Sequence, residues 1–235
     1  MEDIKDIKDI KDIKDMSDAL LEKLTAVLNR DCQPGKYSLV EIRDKYAKNT
    51  DILYIIENGE PVYFLLLDRF PKHKSVYIHD VCVSMGARGR GLFKASLGFL
   101  KTYYATRGFT NFTLDASDST KEVGLDQKAR LHIFGSAGFH INTETGYFTE
   151  DGSYEIMKTR VQLDDGSVVT MLGRSGADYV VVDDDGGKQY TVGIKRVEKC
   201  YDGAANQISC PMIMRIPVVG KGKGRGRRKT RKQIK

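Results

Sequence analysis

The chain has 235 residues, 40% of them hydrophobic and 30% charged, which is enough apolar material for one large domain or two small ones. Its formal net charge of +6 is misleading, because residues 221–235 hold nine Lys or Arg and no acid, leaving 29 basic against 32 acidic residues elsewhere, a net charge of −3. No apolar run approaches the roughly 20 residues of a membrane-spanning helix, and the charged N-terminus lacks the apolar centre of a secretion signal. We therefore predict no membrane attachment.

The four cysteines give little sign of a metal site or of cross-linking. Cys32, Cys82, Cys200 and Cys210 have neither zinc-site nor disulfide spacing. This pattern predicts no bound metal and a reducing, intracellular setting, in the cytoplasm or the nucleus.

The N-terminal segment repeats Asp-Ile-Lys, a period of three that drifts around a helix and forms no apolar face. We predict that residues 1–16 are a disordered leader, with a short helix formed in a complex as the alternative. Ser17 is then the predicted N-cap of a helix. One face of that helix carries Leu20, Leu21, Leu24, Val27 and Leu28. Residues 38–47 are ambiguous, and a second helix is one interpretation.

Three strands follow in the prediction. Residues 51–56 and 61–67 are apolar runs joined by Asn58-Gly59, which is a strong hairpin signal. Residues 76–83 are apolar and β-branched with one polar break, as in a buried strand.

A turn rich in Gly and Arg links that strand to a helix that ends at Gly108. Glycines between a strand and a helix start leave backbone N–H groups open to a ligand, and the helix dipole there attracts phosphate. Two arginines in the turn could pair with more phosphate. The Lys-Ser/Thr ending of a P-loop is missing, and Lys94 stands where a dinucleotide-binding turn needs its third glycine.

The remaining elements complete an alternation of strands and helices. Residues 109–115 are predicted as a strand, Asp126 as the start of a helix that ends at Gly138, and residues 140–149 and 153–160 as two strands. The order is therefore helix, hairpin, strand, helix, strand, helix and two strands.

This order and the turn resemble the GNAT superfamily of N-acetyltransferases. In that family's pyrophosphate-binding motif, Arg88 and Gly91 would hold the first and fourth positions, while Phe93 takes the sixth in place of Gly or Ala. Gly138-Phe139 resembles the pair after the family's last helix, and residues 154–158 resemble its final strand. One departure is the missing first strand. The resemblance spans residues 17–162 and implies an α+β domain with a mixed, mostly antiparallel sheet flanked by helices.

The resemblance also implies a site that binds acetyl-CoA. The backbone of Val81, Cys82 and Val83 would bind pantetheine and polarise the thioester carbonyl. The pyrophosphate would lie on Arg88, Gly89, Arg90 and Gly91, with Gly86 and Ala87 completing the cradle.

Two neighbouring residues are the candidate catalytic bases, since an amine with a pKa near 10.4 must lose a proton before it attacks. His79 and Asp80 lie just before the pantetheine segment, but alternate residues of a strand point to opposite faces, so at most one is expected to face the site. The Tyr that protonates the departing thiolate in many relatives is replaced by Phe134. Ser136 and Tyr147 are possible substitutes. Asp115 and Asp118, at the expected edge of the amine channel, could attract a cationic substrate.

Residues 163–219 form short β-rich runs punctuated by Asp-Gly pairs, which suggests a small barrel or a curled meander. This all-β, barrel-like module weakly resembles Tudor-type barrels. Residues 220–235 are predicted to be a disordered basic tail. The tail resembles those of proteins encoded by large DNA viruses and also a nuclear localisation signal. Residues 221–235 could bind nucleic acid, or attach the protein to a virion.

Two functional hypotheses follow. The first is an acetyl-CoA-dependent N-acetyltransferase that acts directly on a primary amine, with a protein lysine favoured over a polyamine or another small amine. The second is a catalytically inactive protein of the same fold that binds nucleic acid or a virion component through its β module and tail. Oligomeric state is left open by the sequence.

Overall fold

The computed structural model describes residues 10–33, 38, 42, 49–117, 125–148, 154–183, 187–201 and 207–217. Its helices are α1 (Asp18–Val27), α2 (Leu92–Ala105) and α3 (Gln127–Ser136). The Ser17 hydroxyl accepts the Leu20 N–H, so this predicted N-cap is confirmed, and Asp126, predicted as a helix start, accepts the Ala129 N–H as the N-cap of α3. Most of the ambiguous segment 38–47 lies outside the described residues. No helix in the described ranges is long and apolar enough to cross a membrane.

The first sheet has seven strands in the order β1-β2-β3-β4-β5-β15-β6. Their bounds are β1 (Ile10–Asp12), β2 (Thr50–Glu57), β3 (Glu60–Phe70), β4 (Ser75–Val83), β5 (Asn111–Ala116), β6 (His140–Ile141) and β15 (Cys210–Arg215). Neighbouring strands are antiparallel except β4 and β5, which are parallel. The predicted mixed, mostly antiparallel sheet is confirmed.

Strand β1 corrects the prediction of a disordered leader for residues 10–16. It pairs with β2, placing Ile10 opposite Leu53. A short 3-10 turn follows at Ile13–Asp15, and Ile13 and Met16 are both buried. A 3-10 helix has three residues per turn, so residues three apart lie on the same side. The period of three, which forms no apolar face on an α-helix, therefore suits this turn and places Ile13 and Met16 on one side of it. The first strand expected from the family is therefore present; residues 1–9 lie outside the described part of the chain.

The second sheet is antiparallel throughout, in the order β12-β11-β10-β9-β13-β14. Its strands are β9 (Arg160–Leu163), β10 (Val168–Ser175), β11 (Asp178–Asp183), β12 (Tyr190–Val192), β13 (Val197–Tyr201) and β14 (Gln207–Ile208). In the described residues β12 and β14 are not paired with each other. The module is therefore an open sheet, which corrects the expectation of a barrel.

The last strand belongs to the first sheet and not to the module. Strand β15 lies between β5 and β6, with Cys210 opposite Ala116 and Met212 opposite Ile141. The boundary predicted at residue 219 is therefore wrong, because the chain leaves the second sheet after β14. Residues 154–158 are also not the final strand of the first sheet, since in the described part of the chain β8 (Tyr154–Lys158) pairs with β7 (Glu144–Phe148) in a separate two-stranded hairpin. Tertiary pairing decides such cases, because an alternating apolar strand fits either sheet.

Helix α3 lies between the two sheets, and one hydrophobic cluster runs through all of them. Gln127, only 2% exposed, joins the layers. Its Nε2 donates to the Ala116 and Ile208 carbonyls, and its Oε1 accepts the Cys200 N–H. A second cluster covers the other face of the first sheet, beneath α1.

Two disulfides correct the expectation of unpaired cysteines. Cys32 is bonded to Cys82 and Cys200 to Cys210, with Cα–Cα distances of 5.7 and 5.2 Å. The first joins the end of a five-residue π-helical turn (Leu28–Cys32) to β4, and the second joins β13 to β15. The cysteines therefore no longer support a reducing compartment, because such bonds are typical of oxidising ones.

Candidate active site

A cleft opens where two parallel strands separate. Strands β4 and β5 pair only from Ser75 to Tyr77 and from Asn111 to Thr113. Beyond these residues they diverge, and a cleft of about 550 Å³ lies between them, bordered by α2 and α3. The edge of β4 that faces this cleft is not paired with β5, so its backbone can bond a ligand.

The predicted glycine turn lies at the mouth of this cleft. Gly89 and Gly91 have φ values of +77° and +72°, a region that favours glycine. A Cβ added at either position would meet no atom of the described residues within 4 Å, so among these residues the space above the turn is open. Among the residues that the structure describes, no side chain caps the first turn of α2, which begins at Leu92. The turn therefore presents backbone N–H groups and the positive end of a helix to the cleft.

The two arginines of the turn differ in their surroundings. Arg88 lines the cleft, and its Nη2 donates to the Asp31 carbonyl at 2.6 Å. Arg90 instead forms two hydrogen bonds with the Glu57 carboxylate, at 2.9 and 2.6 Å, and that contact lowers the pKa of Glu57. Arg90 is not among the residues that line the cleft. Its side chain is thus directed to Glu57 of β2, whereas the family resemblance implies a contact with the pyrophosphate.

The proposed pantetheine segment follows the unpaired edge of β4. Val81 and Val83 line the cleft. The Cys82 side chain is fully buried on the opposite face, where it is bonded to Cys32. Cys82 therefore has no free thiol.

His79 and Asp80 face the same cleft, which corrects the prediction that they point to opposite faces. Leu66 lies opposite Asp80 and Leu67 opposite Ile78, so His79 is the extra residue of a β-bulge. The bulge interrupts the alternation of faces. His79 Nδ1 lies 3.3 Å from Asp80 Oδ2, with side chains that are 25% and 6% exposed.

A third residue supports this pair and was missed in the sequence. Gln33 lines the cleft, and its Nε2 donates a short hydrogen bond to Asp80 Oδ1. The adjacent Cys32–Cys82 bond ties Gln33 to β4. No local pattern around Gln33 indicates this role, because the contact joins residues 47 apart in the chain.

A second polar pair lies on the wall formed by β5. The Tyr77 hydroxyl donates to Asp115 Oδ2 at 2.9 Å, and the Tyr77 ring contacts that of His79 edge-on. Asp115 is exposed by surface area but sits in a concave wall, and its partial burial raises its pKa despite the opposing effect of the Tyr77 bond. Burial likewise raises the pKa of Tyr77. Asp118 lies outside the described residues.

An aromatic group occupies the end of the cleft near α3. Phe134 lines the cleft and packs edge-on against Phe93, with ring centroids 5.5 Å apart. Ser136 donates to the Ile133 carbonyl, while the side chain of Tyr147 lies outside the described part of the structure. In the described residues no group of three or more His, Cys, Asp or Glu could hold a metal ion.

Comparison with known proteins identifies the family. The model of the acetyltransferase (GNAT) family matches residues 18–150, more than half of the chain. None of the curated proteins compared with the chain matches it.

The chain is also similar to solved structures, at low sequence identity. GCN5 from Tetrahymena is 12% identical with a TM-score of 0.50, over 89% of this chain and 96% of its own. The ribosomal-protein-S18-alanine N-acetyltransferase from Escherichia coli is 14% identical with a TM-score of 0.49, over 91% and 97%. A phosphinothricin acetyltransferase from Sinorhizobium meliloti, solved with AcCoA, is 14% identical with a TM-score of 0.44, over 64% and 84%. From the family match, we conclude that the chain belongs to the acetyltransferase (GNAT) family.

Proposed function

We propose that the protein is an acetyl-CoA-dependent N-acetyltransferase that transfers the acetyl group directly to a primary amine. The observation that carries the proposal is the meeting of three features at one cleft: an open glycine turn at Arg88–Gly91, the unpaired edge of β4, and the His79–Asp80 pair. Family membership supports the same reaction class.

The chain offers fitting contacts for each part of acetyl-CoA. The backbone of the turn and the start of α2 suit the pyrophosphate, and Arg88 adds a cation at the edge of the cleft. The backbone of Val81–Val83 suits the amides of pantetheine, in the way that an added strand bonds a sheet edge. The thioester supplies an activated acyl group, so no acyl-enzyme is needed.

We assign His79 as the base that accepts the proton from the amine. Its Nδ1 faces Asp80, so Nε2 is the ring nitrogen that receives the proton. Asp80 stabilises the resulting imidazolium through its Oδ2. Gln33 holds Asp80 in place by donating a hydrogen bond to its other oxygen, Oδ1. The new C–N bond then forms as the C–S bond breaks.

The thiolate leaves without a Tyr acid at the Phe134 position. Phe134 carries no proton to donate, and the described hydroxyl of Ser136 is bonded to its own helix. We assign this proton to water at the open mouth of the cleft.

The acceptor is proposed to be a protein lysine, with polyamines and other small amines as the alternatives. Asp115 lies on the cleft wall near His79 and suits a cationic amine. The second sheet and the basic tail enlarge the surface around the fold, which favours a macromolecular substrate.

The first test measures cofactor binding by thermal unfolding. Acetyl-CoA should raise the melting temperature, and Arg88→Ala should weaken binding by about 2 kcal/mol, or some thirtyfold. Arg196→Ala is the matched control, because that arginine pairs with Asp164 and Asp165 in the second sheet. No stabilisation at millimolar acetyl-CoA would refute the proposal.

A second test separates an active enzyme from a cofactor-binding protein. Release of coenzyme A thiol is followed with a lysine peptide, spermidine and a small primary amine, without added reductant. Turnover with any amine supports the enzyme, and the preferred amine identifies the substrate class. Binding without turnover would favour the catalytically inactive alternative.

A further inference from the structure

The Cys32–Cys82 disulfide lies in the wall of the acetyl-CoA cleft and has one accessible end. Cys32 is partly exposed and lines the cleft, whereas Cys82 is 0% exposed and packs beneath α1. Cys32 Sγ lies 3.8 Å from the carbonyl oxygen of Val83, within the segment proposed to bind pantetheine. A soluble thiolate that enters the cleft can therefore reach this bond from the Cys32 side.

The second disulfide provides a comparison within the same chain. Cys200 and Cys210 are both 0% exposed, and neither lines the cleft. Thiol–disulfide exchange requires a thiolate to contact one of the two sulfurs, so access limits its rate. In the folded protein, the Cys32–Cys82 bond should therefore react first with a reductant.

The residues on either side of Cys32 contact both the glycine turn and the proposed catalytic pair. The Asp31 carbonyl accepts a hydrogen bond from Arg88 Nη2 at 2.6 Å, and Gln33 Nε2 donates to Asp80 Oδ1. The disulfide is the covalent link of this segment to β4. Each of the hydrogen bonds contributes only about 1 kcal/mol, so the disulfide should fix the segment more firmly than they do.

Reduction would release residues 31–33 without placing a charge in the core. The Cys82 thiol would remain among apolar side chains, where a free cysteine behaves as a small hydrophobic residue. The two cysteines are 50 residues apart in the chain, so without the bond the sequence itself hardly holds them together. The local effect of reduction should therefore fall on the contacts with Arg88 and Asp80.

We propose that the Cys32–Cys82 bond is a redox switch for the acetyl-CoA site, an inference that rests on the proposed function. A dithiol reductant attacks Cys32 Sγ, the S–S bond breaks, and Cys82 leaves as a thiolate that takes up a proton. The second thiol of the reductant then displaces Cys32, so the protein gains two thiols and the reductant becomes a disulfide. The oxidised protein holds Arg88 and Asp80 in place, and the reduced protein binds acetyl-CoA more weakly and turns over more slowly.

Acetyl-CoA should in turn protect the bond. The cofactor would occupy the cleft through which the reductant reaches Cys32. Binding and reduction are also linked thermodynamically, because a ligand that prefers the oxidised protein makes reduction less favourable by the same factor. Protection of this bond by acetyl-CoA is therefore a direct sign of the coupling.

The first experiment measures reduction without any assay of activity. The full chain, purified without reductant, is treated with dithiothreitol, and samples are unfolded in an alkylating reagent and analysed by peptide mass spectrometry. Cys32 and Cys82 should become alkylated about tenfold faster than Cys200 and Cys210. Saturating acetyl-CoA should slow the first pair severalfold and leave the second pair unchanged.

The second experiment measures the effect on the site. Cys200→Ser with Cys210→Ser retains the switch as its single disulfide. Reduction of this variant should lower acetyl-CoA affinity and kcat/KM about tenfold, equivalent to the loss of one or two hydrogen bonds, and reoxidation should restore both. Cys32→Ser with Cys82→Ser is the matched control, and it should resemble the reduced protein and not respond to dithiothreitol. If a double variant does not fold, the wild type reduced at the first pair alone gives the same comparison.

Two results would overturn the proposal. One is equal rates of reduction for the two bonds, unaffected by acetyl-CoA, which would make Cys32–Cys82 a cross-link that serves stability alone. The other is unchanged acetyl-CoA affinity and turnover in a folded protein whose Cys32 and Cys82 are shown to be thiols. Absence of acetyl-CoA binding in both redox states would instead refute the proposed function on which the switch rests.

Discussion

The cleft and the contact between the two sheets are held together in different ways. Around the cleft, side chains such as His79, Asp80 and Gln33 contact one another at the edge of an open space of about 550 Å³. Between the sheets, the face of α3 that carries Gly135 is closely packed: a Cβ added at Gly135 would lie 3.1 Å from Ile194.

From this difference we expect substitutions at the cleft to change mainly activity, and substitutions between the sheets to change mainly stability. A change at the cleft wall alters a partly exposed group and disturbs little packing. A change at the contact between the sheets leaves buried polar groups or voids in a dense interior. The following variants test how far this separation holds.

Loss of the proposed base should have the largest effect, and on activity only. His79→Gln is expected to lower kcat by about 10²- to 10⁴-fold, because Gln cannot accept the amine proton. The melting temperature should stay within experimental error. His73→Gln, at the far end of β4, is the matched control. Full activity in His79→Gln would assign the base role elsewhere.

Loss of the Cys32–Cys82 bond should lower both the stability of the fold and the affinity for acetyl-CoA, because the bond joins the cleft to the core. Changing both residues to Ser is expected to lower the free energy of unfolding by about 4 kcal/mol, from the entropy of a long loop. Acetyl-CoA affinity should also fall, since Gln33 and the Val81–Val83 segment lose their link. Urea unfolding and thermal shift measure the two effects.

The Cys200–Cys210 bond provides the comparison. Its loop is shorter, with a sequence separation of 10 against 50, so its loss should cost about 3 kcal/mol. Acetyl-CoA affinity should be unchanged. Equal effects of the two bonds on affinity would contradict the separation between the regions.

Gln127→Leu tests the contact between the sheets. It removes three hydrogen bonds and deprives the buried Cys200 N–H of its acceptor on Gln127. We therefore expect a loss of about 2–3 kcal/mol in the free energy of unfolding. Activity measured well below the melting temperature should change little. Gln189→Leu, at an exposed position, is the control. A large loss of activity without a loss of stability would place Gln127 in the catalytic region.

The smallest expected effect is a dependence of the free energy of unfolding on pH, caused by His140 in β6. Burial, aided by nearby Arg174 and Arg215, lowers the pKa of His140 to about 4 from 6.5. The unfolded chain therefore binds this proton more readily, and its contribution to stability is complete above pH 6.5 and is lost as the pH falls towards 4.

Because His140 is partly exposed, we expect about 1 kcal/mol from this group. The difference in unfolding free energy between wild type and His140→Gln should change by that amount between pH 7 and pH 4. A constant difference would show that His140 titrates normally in the folded protein.

The features predicted correctly from the sequence are those that depend on residues close together in the chain. The caps at Ser17 and Asp126, the Asn58-Gly59 hairpin and the turn around Gly91 depend on residues close in the chain, and each is present. The predicted position of the cleft followed from that turn.

Contacts between distant residues account for the errors. Strand β15 and the two disulfides are set by pairings that no short window contains. The shared orientation of His79 and Asp80 comes from a bulge that is visible only in the register of β3 with β4. Gln33 became a site residue because a disulfide brings it to β4.

The late position of β15 in the chain also affects how the protein is made. During synthesis, β5 has no neighbour on its outer edge until residues 210–215 have left the ribosome, long after the rest of the first sheet. An exposed strand edge that carries buried residues such as Phe112 and Leu114 invites pairing with other chains. Prematurely terminated chains that end within the second sheet should therefore aggregate, and synthesis of β15 sets the moment at which this edge of β5 is covered.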